Sequence, residues 1–187
     1  TTLEELGLLK MDFLGLRTLT VMSDAVKMIK ANRGIEIDLD KINFEDKEVY
    51  KMIGEGKTAG VFQLESPGMT SFMKELKPDC LEDLIAGVSL YRPGPMDQIP
   101  RYISNKKDPD HAVYTHDSLK PILKVTYGCM VYQEQVMQIV RDLAGYSLGR
   151  ADLVRRAMGK KKLEVMAKER EIFIHGQIDE NGNIIVD

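Results

Sequence analysis

Glycine and proline residues divide this chain into short segments, and most of those segments have the apolar spacing of an amphipathic helix. The 187 residues include 15 Gly and 7 Pro, and both residue types end helices or prevent them from continuing. The spacing predicts helices at residues 18–31, 46–53, 69–76, 81–90, 131–144, 148–158 and 163–173. The predicted terminators are Gly34, Gly54, Gly145 and Gly159, and Ser147 is a predicted cap. We therefore predict a mainly α fold (α+β) built from short helices.

A few short strands or hairpins are predicted beside these helices. Residues 7–15 alternate between apolar and polar side chains, and this period of two predicts a strand. Residues 178–186 contain Asn181-Gly182, the dipeptide typical of type I′ turns, and are predicted to form a hairpin. Residues 101–117 show neither pattern and are predicted to be irregular.

Composition excludes several classes of protein. The formal net charge is −3 and 43% of the residues are hydrophobic, which is typical of a globular chain with a buried core. No apolar run approaches the ~20 residues of a membrane span, and the N-terminus has no signal-peptide pattern. Cys80 and Cys129 cannot form a CxxC pair or a four-cysteine zinc site. We expect a cytoplasmic protein without membrane contact, and the missing initiating Met suggests a piece of a longer chain.

Positive charge is concentrated in residues 150–162, which contain six Lys or Arg residues and one carboxylate, Asp152. The side chains predicted to face the core here are Leu153, Val154, Ala157 and Met158. Arg155 and Arg156 then lie on the outer side, and Arg156, four residues after Asp152, is predicted to form a helix ion pair with it. A triphosphate or a nucleic-acid backbone would relieve this crowding of like charge. A solvated helix end, complemented by the helix dipole, is an equally good interpretation of the charge alone.

Asp12 is a carboxylate inside the apolar segment 7–15. Such a group needs an ionic or hydrogen-bonding partner. Lys10 on the same face could supply one, and from spacing alone this is the favoured interpretation. The alternative is a divalent metal, because Mg²⁺ sites commonly use one or two carboxylates with phosphate oxygens.

Several motifs in a fixed order carry a family resemblance. They are Leu-Lys-Met-Asp-Phe-Leu within residues 7–19, Gly-Val-Phe-Gln-Leu-Glu-Ser (60–66), Leu-Tyr-Arg-Pro-Gly-Pro (90–95), residues 118–123 and 127–137, and Arg-Arg-Ala-Met-Gly-Lys-Lys-Lys (155–162). The chain closely resembles the alpha subunits of bacterial DNA polymerase III, the C-family replicative polymerases, over about residues 3–175. The last dozen residues match the family pattern less well.

The resemblance implies two domains: residues 1–18 as the incomplete C-terminal strand of the palm, and residues 19–187 as the first part of a helical fingers domain. It implies that Asp12 is the third carboxylate of a catalytic Mg²⁺ site. The other two aspartates belong to a Pro-Asp-x-Asp motif that has no counterpart here. The nucleotide-binding residues implied are Arg155, Arg156, Lys160, Lys161, Lys162 and Arg92, and Glu65 is a further candidate facing the active site.

The function implied is that of a DNA-directed DNA polymerase catalytic subunit in chromosomal replication, working by two-metal nucleotidyl transfer. Its partners would be primer–template DNA, deoxynucleoside triphosphates (dNTPs) and other replicase subunits, the last through regions absent here. With one of three carboxylates, this chain alone is expected to be inactive and not to hold Mg²⁺ by itself. The alternative hypothesis is a non-catalytic helical DNA-binding module, and a purely structural interaction domain is a third.

Overall fold

The computed structural model describes residues 2–186, apart from the side chain of Glu4. The chain divides into two compact units, Thr1–Phe44 and Glu45–Asp187. Thr1 and Asp187, the outer ends of the two predicted domains, lie outside the described residues. The predicted domain boundary at residue 18 concerns a longer polypeptide and stays a prediction.

The first unit contains helix α1, Thr2–Glu5, helix α2, Arg17–Arg33, and a 3₁₀ turn at Leu39–Lys41. Gly34 ends α2 as predicted: it adopts a left-handed conformation with φ 66°, and its N–H donates to the carbonyl of Lys30. No residue of α2 is buried. The spacing of its apolar residues therefore predicted the helix correctly, although none of the residues of the helix is buried in the described structure.

The strand predicted for residues 7–15 is wrong for this structure. Residues 8–16 belong to no helix or strand, and Leu9 and Phe13 are 84% and 89% exposed. A strand is stable only when a neighbouring strand accepts its backbone hydrogen bonds, and in residues 2–186 the sheet pairing joins only two C-terminal strands. The interpretation favoured from spacing alone, that Lys10 pairs with Asp12, is confirmed, at 3.7 Å and with both side chains exposed.

The second unit is built from short helices. They are α3, Lys47–Gly54; α4, Pro67–Leu76; α5, Leu81–Leu90; α6, Ile99–Lys107; α7, Lys120–Leu123; α8, Gln133–Ala144; α9, Leu148–Gly159; and α10, Leu163–His175. Side chains of Asp46, Ser66 and Ser147 accept backbone N–H groups at the starts of α3, α4 and α9. The mainly α prediction is confirmed. No described helix is long and apolar enough to cross a membrane.

Helix α6 corrects the prediction that residues 101–117 are irregular. Pro100 occupies its first turn, where the missing N–H is tolerated, and Tyr102 is 1% exposed in the core. Asn105 donates to the carbonyl of Tyr127, 2.7 Å away. These long-range contacts stabilise a helix whose own sequence is too polar to indicate one.

Two apolar clusters form the core of the second unit. The first joins α3 to α6 and includes Ile53, Leu64, Met69, Phe72, Met73, Leu76, Ala86, Leu90, Tyr102 and Cys129. The second joins α8, α9 and the C-terminal hairpin through Val140, Ala144, Tyr146, Ala151, Val154 and Val186. The first cluster supports the loop after α5, and the second supports α9. Both clusters therefore hold in place elements that carry candidate site residues.

The predicted C-terminal hairpin is present, with β1, Gln177–Ile178, antiparallel to β2, Ile184–Val186. Its turn differs from the predicted type I′. Gly182 has φ 81°, whereas Asn181 is outside the left-handed region, and the N–H of Gly182 donates to the carbonyl of Asp179. The Asp179 carboxylate also accepts the N–H groups of Asn181 and Asn183. This side-chain bonding selects a longer turn that needs only one left-handed residue.

Candidate phosphate-binding face

Three consecutive lysines, Lys160–Lys162, form the turn that follows α9. The N–H of Lys162 donates to the carbonyl of Ala157 and that of Lys161 to the carbonyl of Met158, which is the Schellman pattern. Lys161 holds the left-handed position with φ 52°, so the prediction that Gly159 terminates the helix is wrong. A position that favours glycine here carries a lysine.

The three lysines have no neutralising partner in the part of the chain that the structure describes. All of them are exposed, and among residues 2–186 no carboxylate lies within ion-pair distance of their ammonium groups. Adjacent like charges that are not paired raise the local positive potential. The exposed ammonium groups of this turn are therefore available to an anion.

Arg155 and Arg156 share one carboxylate. Asp152 Oδ1 lies 2.7 Å from an Arg155 terminal nitrogen, and Oδ2 lies 2.8 Å from one of Arg156. The predicted ion pair between Arg156 and Asp152 is thus confirmed. The Arg155 side chain is 31% exposed and that of Arg156 is 61% exposed, so both remain accessible from solvent.

The buried side of α9 is narrower than predicted. Ala151, Val154 and Ala157 are buried at a spacing of three residues, whereas Leu153 and Met158 are 43% and 41% exposed. The prediction that Leu153 and Met158 face the core is wrong, because the small alanines allow α9 to pack closely along a single stripe. The face that carries Arg156 is correspondingly wider.

Arg150 does not belong with the accessible cations Arg155, Arg156 and Lys160–Lys162. Its guanidinium donates to both carboxylate oxygens of Glu169 at 3.0 and 3.3 Å and to Gln177 at 2.6 Å, and it lies over the ring of Tyr146. The Arg150 and Glu169 side chains are 18% and 10% exposed. This bidentate pair fixes α10 and the hairpin to α9, and sequence charge alone could not separate Arg150 from the other cations.

A cleft of about 320 Å³ lies between the loop after α5 and the start of α8. Its lining residues are Ser89, Arg92, Pro95, Val131, Tyr132, Gln133 and Glu134. Arg92 is exposed, and no carboxylate of the described residues forms an ion pair with it. Arg155 donates from its terminal nitrogen to Gln133 Oε1, 3.0 Å away. This contact places Arg155 of α9 at the edge of the cleft that contains Arg92.

Buried hydrogen bonds hold the α8 side of the cleft. Gln135 is 5% exposed, and its Oε1 accepts the N–H groups of Val131 and Tyr132, both at 2.9 Å. Its Nε2 donates to Thr126 Oγ1 at 2.8 Å. Sequence reasoning assigned no role to Gln135. The signal that could have found it is a glutamine three residues into a helix, where it can cap the first turn.

Aromatic packing holds the opposite side of the cleft. Tyr91, next to Arg92, stacks on Phe72 of α4 with ring centroids 5.9 Å apart. The Tyr91 hydroxyl occupies the space that a Cβ on Gly68 would need. The predicted residue Glu65 is exposed just before α4. Tyr91 therefore connects the loop that contains Arg92 to the start of α4. Glu65 lies just before this start, and its role stays a prediction.

Asp12 lies in the first unit, where its exposed carboxylate pairs with Lys10. It belongs to no cluster of three or more metal-type ligands within residues 2–186. One carboxylate fits Mg²⁺ only as a contributor to a larger ligand set. The role of Asp12 as a metal ligand therefore stays a prediction.

Asp79, Cys80 and Asp83 form the metal-type cluster that the described residues do contain. Lys106 lies within it, 2.9 Å from Asp79 and 3.2 Å from Asp83. Its hydrogen bond lowers the pKa of Asp79, and burial raises the pKa of the Cys80 thiol to about 11. The Lys106 ammonium already neutralises the two carboxylates, and the protonated Cys80 thiol is a poor metal ligand. We therefore interpret the cluster as a structural ion-pair network.

The family is decided by comparison with known proteins. The sequence model of the bacterial DNA polymerase III alpha subunit finger domain matches residues 18–181. This chain belongs to that family. It is 50% identical over 176 residues to DNA polymerase III subunit alpha of Staphylococcus aureus (strain COL), and 54% identical over 178 residues to that of Thermus aquaticus.

The alignments cover 94% and 92% of the chain but only 16% and 15% of the two relatives. The resemblance to bacterial DNA polymerase III alpha subunits is thus confirmed, for a fingers segment spanning about one sixth of the relatives' length. Arg92, Arg155, Arg156 and the three lysines all lie inside the matched finger domain, whereas Asp12 precedes it.

Proposed function

We propose that this chain is the fingers segment of a DNA-directed DNA polymerase catalytic subunit, and that its basic face binds the triphosphate of the incoming dNTP. The basic face consists of Arg92, Arg155, Arg156 and Lys160–Lys162. The observation that carries the proposal is the contact between Arg155 and Gln133, because it joins the end of α9 that bears the cations to the cleft that contains Arg92.

The side chains of this face suit a polyphosphate. Arg156 donates to one carboxylate oxygen and keeps other N–H groups for bidentate hydrogen bonds to phosphate oxygens. The lysines add positive charge without fixed geometry. During phosphoryl transfer, negative charge develops on the phosphate oxygens, and cations held in place stabilise it. Mg²⁺ bound in the full-length subunit would supply stabilisation of the attacking and leaving oxygens.

The wider role follows from the family. We propose that the full-length subunit extends primers on template DNA during chromosomal replication in the bacterial cytoplasm. Other replicase subunits would bind through regions outside this chain. Asp12 would contribute one carboxylate to the Mg²⁺ site, Glu65 would face the active site, and residues 1–18 would complete the palm.

Arg156→Ala in the full-length subunit should mainly impair nucleotide use. Loss of a charge-assisted hydrogen bond to phosphate corresponds to about 1–3 kcal/mol. We expect a higher KM for dNTP or a lower kcat, measured by steady-state primer extension. Arg170→Ala is the matched control, since Arg170 is an exposed arginine of the same unit that pairs with one carboxylate, Glu171. The control should behave as wild type.

The second candidate function, a DNA-binding module without nucleotide chemistry, is favoured by the three unpaired lysines. If it is correct, Arg156→Ala should weaken DNA binding and reduce its salt dependence by about one phosphate contact. The KM for dNTP would then be unchanged. Titrations of primer–template DNA at several salt concentrations separate the two functions.

The isolated 187-residue chain should not extend a primer. Its sequence contains one of the three aspartates that the family resemblance implies, and the described residues do not bring Asp12 together with other metal ligands. The assay is primer extension with Mg²⁺ and all four dNTPs, with the full-length subunit as positive control. Extension by a preparation free of host polymerase would contradict this expectation.

A further inference from the structure

Asp152 is the carboxylate that organises the two arginines of the basic face. Its Oδ1 accepts from Arg155 Nε at 2.8 Å and lies 2.7 Å from an Arg155 terminal nitrogen. Its Oδ2 lies 2.8 Å from a terminal nitrogen of Arg156. The hydrogen bond from Arg155, together with the charges of both arginines, lowers the pKa of Asp152, so the carboxylate is ionised at neutral pH.

The two arginines are held to different degrees. Arg155 uses two nitrogens on Asp152 and a third on Gln133, which follows the N-cap of α8. Arg156 makes a single contact with Asp152 and is about twice as exposed, at 61% against 31%. To recruit Arg155, a phosphate must displace two hydrogen bonds and an ion-pair contact, whereas Arg156 is held by one ion-pair contact. An exposed ion pair of the latter kind is weak.

We propose that Asp152 is a positioning residue, whose carboxylate fixes Arg155 against Gln133 at the cleft and leaves Arg156 as the arginine that binds phosphate. This inference rests on the proposed function and refines it: within the basic face, Arg155 would orient the face at the cleft, and Arg156 would contact phosphate. The Asp152–Arg155–Gln133 chain spans from α9 to α8, and Gln133 lines the cleft together with Arg92. Asp152 would thereby set the distance between the phosphate-binding arginine and the cleft, and would act on turnover through Arg155 rather than by touching nucleotide.

A double-mutant cycle in the full-length subunit tests this role. The variants are Asp152→Asn, Arg155→Ala, their combination, and Arg156→Ala. Asp152→Asn and Arg155→Ala should each lower kcat roughly tenfold while KM for dNTP changes less than about twofold, because positioning and not binding is lost. The kcat of the combined variant should be no lower than that of Arg155→Ala alone, since both changes break the connection between Asp152 and Arg155, and the weak exposed pair of Asp152 with Arg156 adds little. Arg156→Ala should instead raise KM at least about tenfold.

Two further variants make the outcome specific. Arg155→Lys keeps the charge but lacks the fork that reaches both Asp152 and Gln133, so its kcat should fall as in Arg155→Ala. Asp117→Asn is the matched control: Asp117 is exposed, pairs with Lys120 three residues later at 2.8 Å, and is not among the residues that line the cleft. This control should leave kcat and KM unchanged.

The positioning role would be overturned if the losses of kcat in Asp152→Asn and Arg155→Ala multiply in the combined variant. A normal kcat for Arg155→Lys would also overturn it. If Arg156→Ala raises KM while the cycle is multiplicative, the inference fails and the proposed function stands. If Arg156→Ala weakens DNA binding and leaves KM unchanged, the proposed function fails, and the inference fails with it.

Discussion

Asp12→Asn in the full-length subunit should abolish primer extension. The prediction combines the family resemblance of Lys10-Met11-Asp12-Phe13 with the observed setting of Asp12. Its carboxylate is exposed, and within residues 2–186 its ion-pair partner is Lys10, at the long distance of 3.7 Å. A weak exposed pair of this kind leaves the carboxylate available to a divalent metal. The neutral amide of Asn removes the negative charge that Mg²⁺ requires, so the transfer step should become undetectable.

DNA binding by the Asp12→Asn variant should be largely unchanged, because the basic face is untouched. Asp24→Asn serves as the matched control, since Asp24 is also an exposed aspartate of the first unit that pairs with a lysine, Lys27, at 3.3 Å. The measurements are single-turnover extension and binding to primer–template DNA. Near-normal turnover in Asp12→Asn would refute the metal-ligand role.

Lys106→Met should be the most destabilising single change predicted for the second unit. The Lys106 side chain is 11% exposed and pairs with Asp83, which is 1% exposed, and with Asp79. Burial alone would lower the pKa of Lys106, but the hydrogen bonds and charges of Asp79 and Asp83 outweigh burial and raise it. Without the ammonium, the buried Asp83 carboxylate would keep the hydrogen bond from the N–H of Asp79 but would lose its ion pair with Lys106. Removing one partner of a buried ion pair lowers the free energy of unfolding by about 3–5 kcal/mol.

The neighbouring Lys107 provides a matched control, because it is an exposed lysine on the same last turn of α6. Lys107→Met should change the free energy of unfolding by less than about 0.5 kcal/mol. Urea denaturation of the 187-residue chain, followed by circular dichroism, measures both variants. Equal stability of the two variants would contradict a stabilising role for the ion pair of Lys106 with Asp83.

Most helices of this chain could be predicted because their signals are local. Helix α5 has the predicted bounds, Leu81–Leu90, and Ser147 caps α9 as predicted. Apolar spacing, caps and left-handed glycines act within one or two turns, so the sequence contains them directly. The failures come from contacts that are distant or missing. Helix α6 forms through the core around Tyr102, and residues 7–15 have no neighbouring strand among the described residues to pair with.

The candidate site divides in the same way. Sequence patterns indicated the basic stretch, the ion pair of Arg156 with Asp152, and the Arg92 loop. They could not show that Arg150 is neutralised by Glu169, 19 residues later, nor that Arg155 reaches Gln133, 22 residues earlier. The Schellman turn that presents Lys161 was also missed, because a left-handed lysine has no clear sequence signature.

The sequence by itself determined which segments are helical and where positive charge is concentrated, because both are properties of neighbouring residues. Only the tertiary structure decided which cations remain available to a ligand. Packing of α9 against α8 and α10 buries the Arg150 pair and places Arg155 on Gln133, while Arg156 and the three lysines stay exposed. A charge acts on a ligand only if no nearer carboxylate neutralises it, and which carboxylates are near depends on how the helices pack.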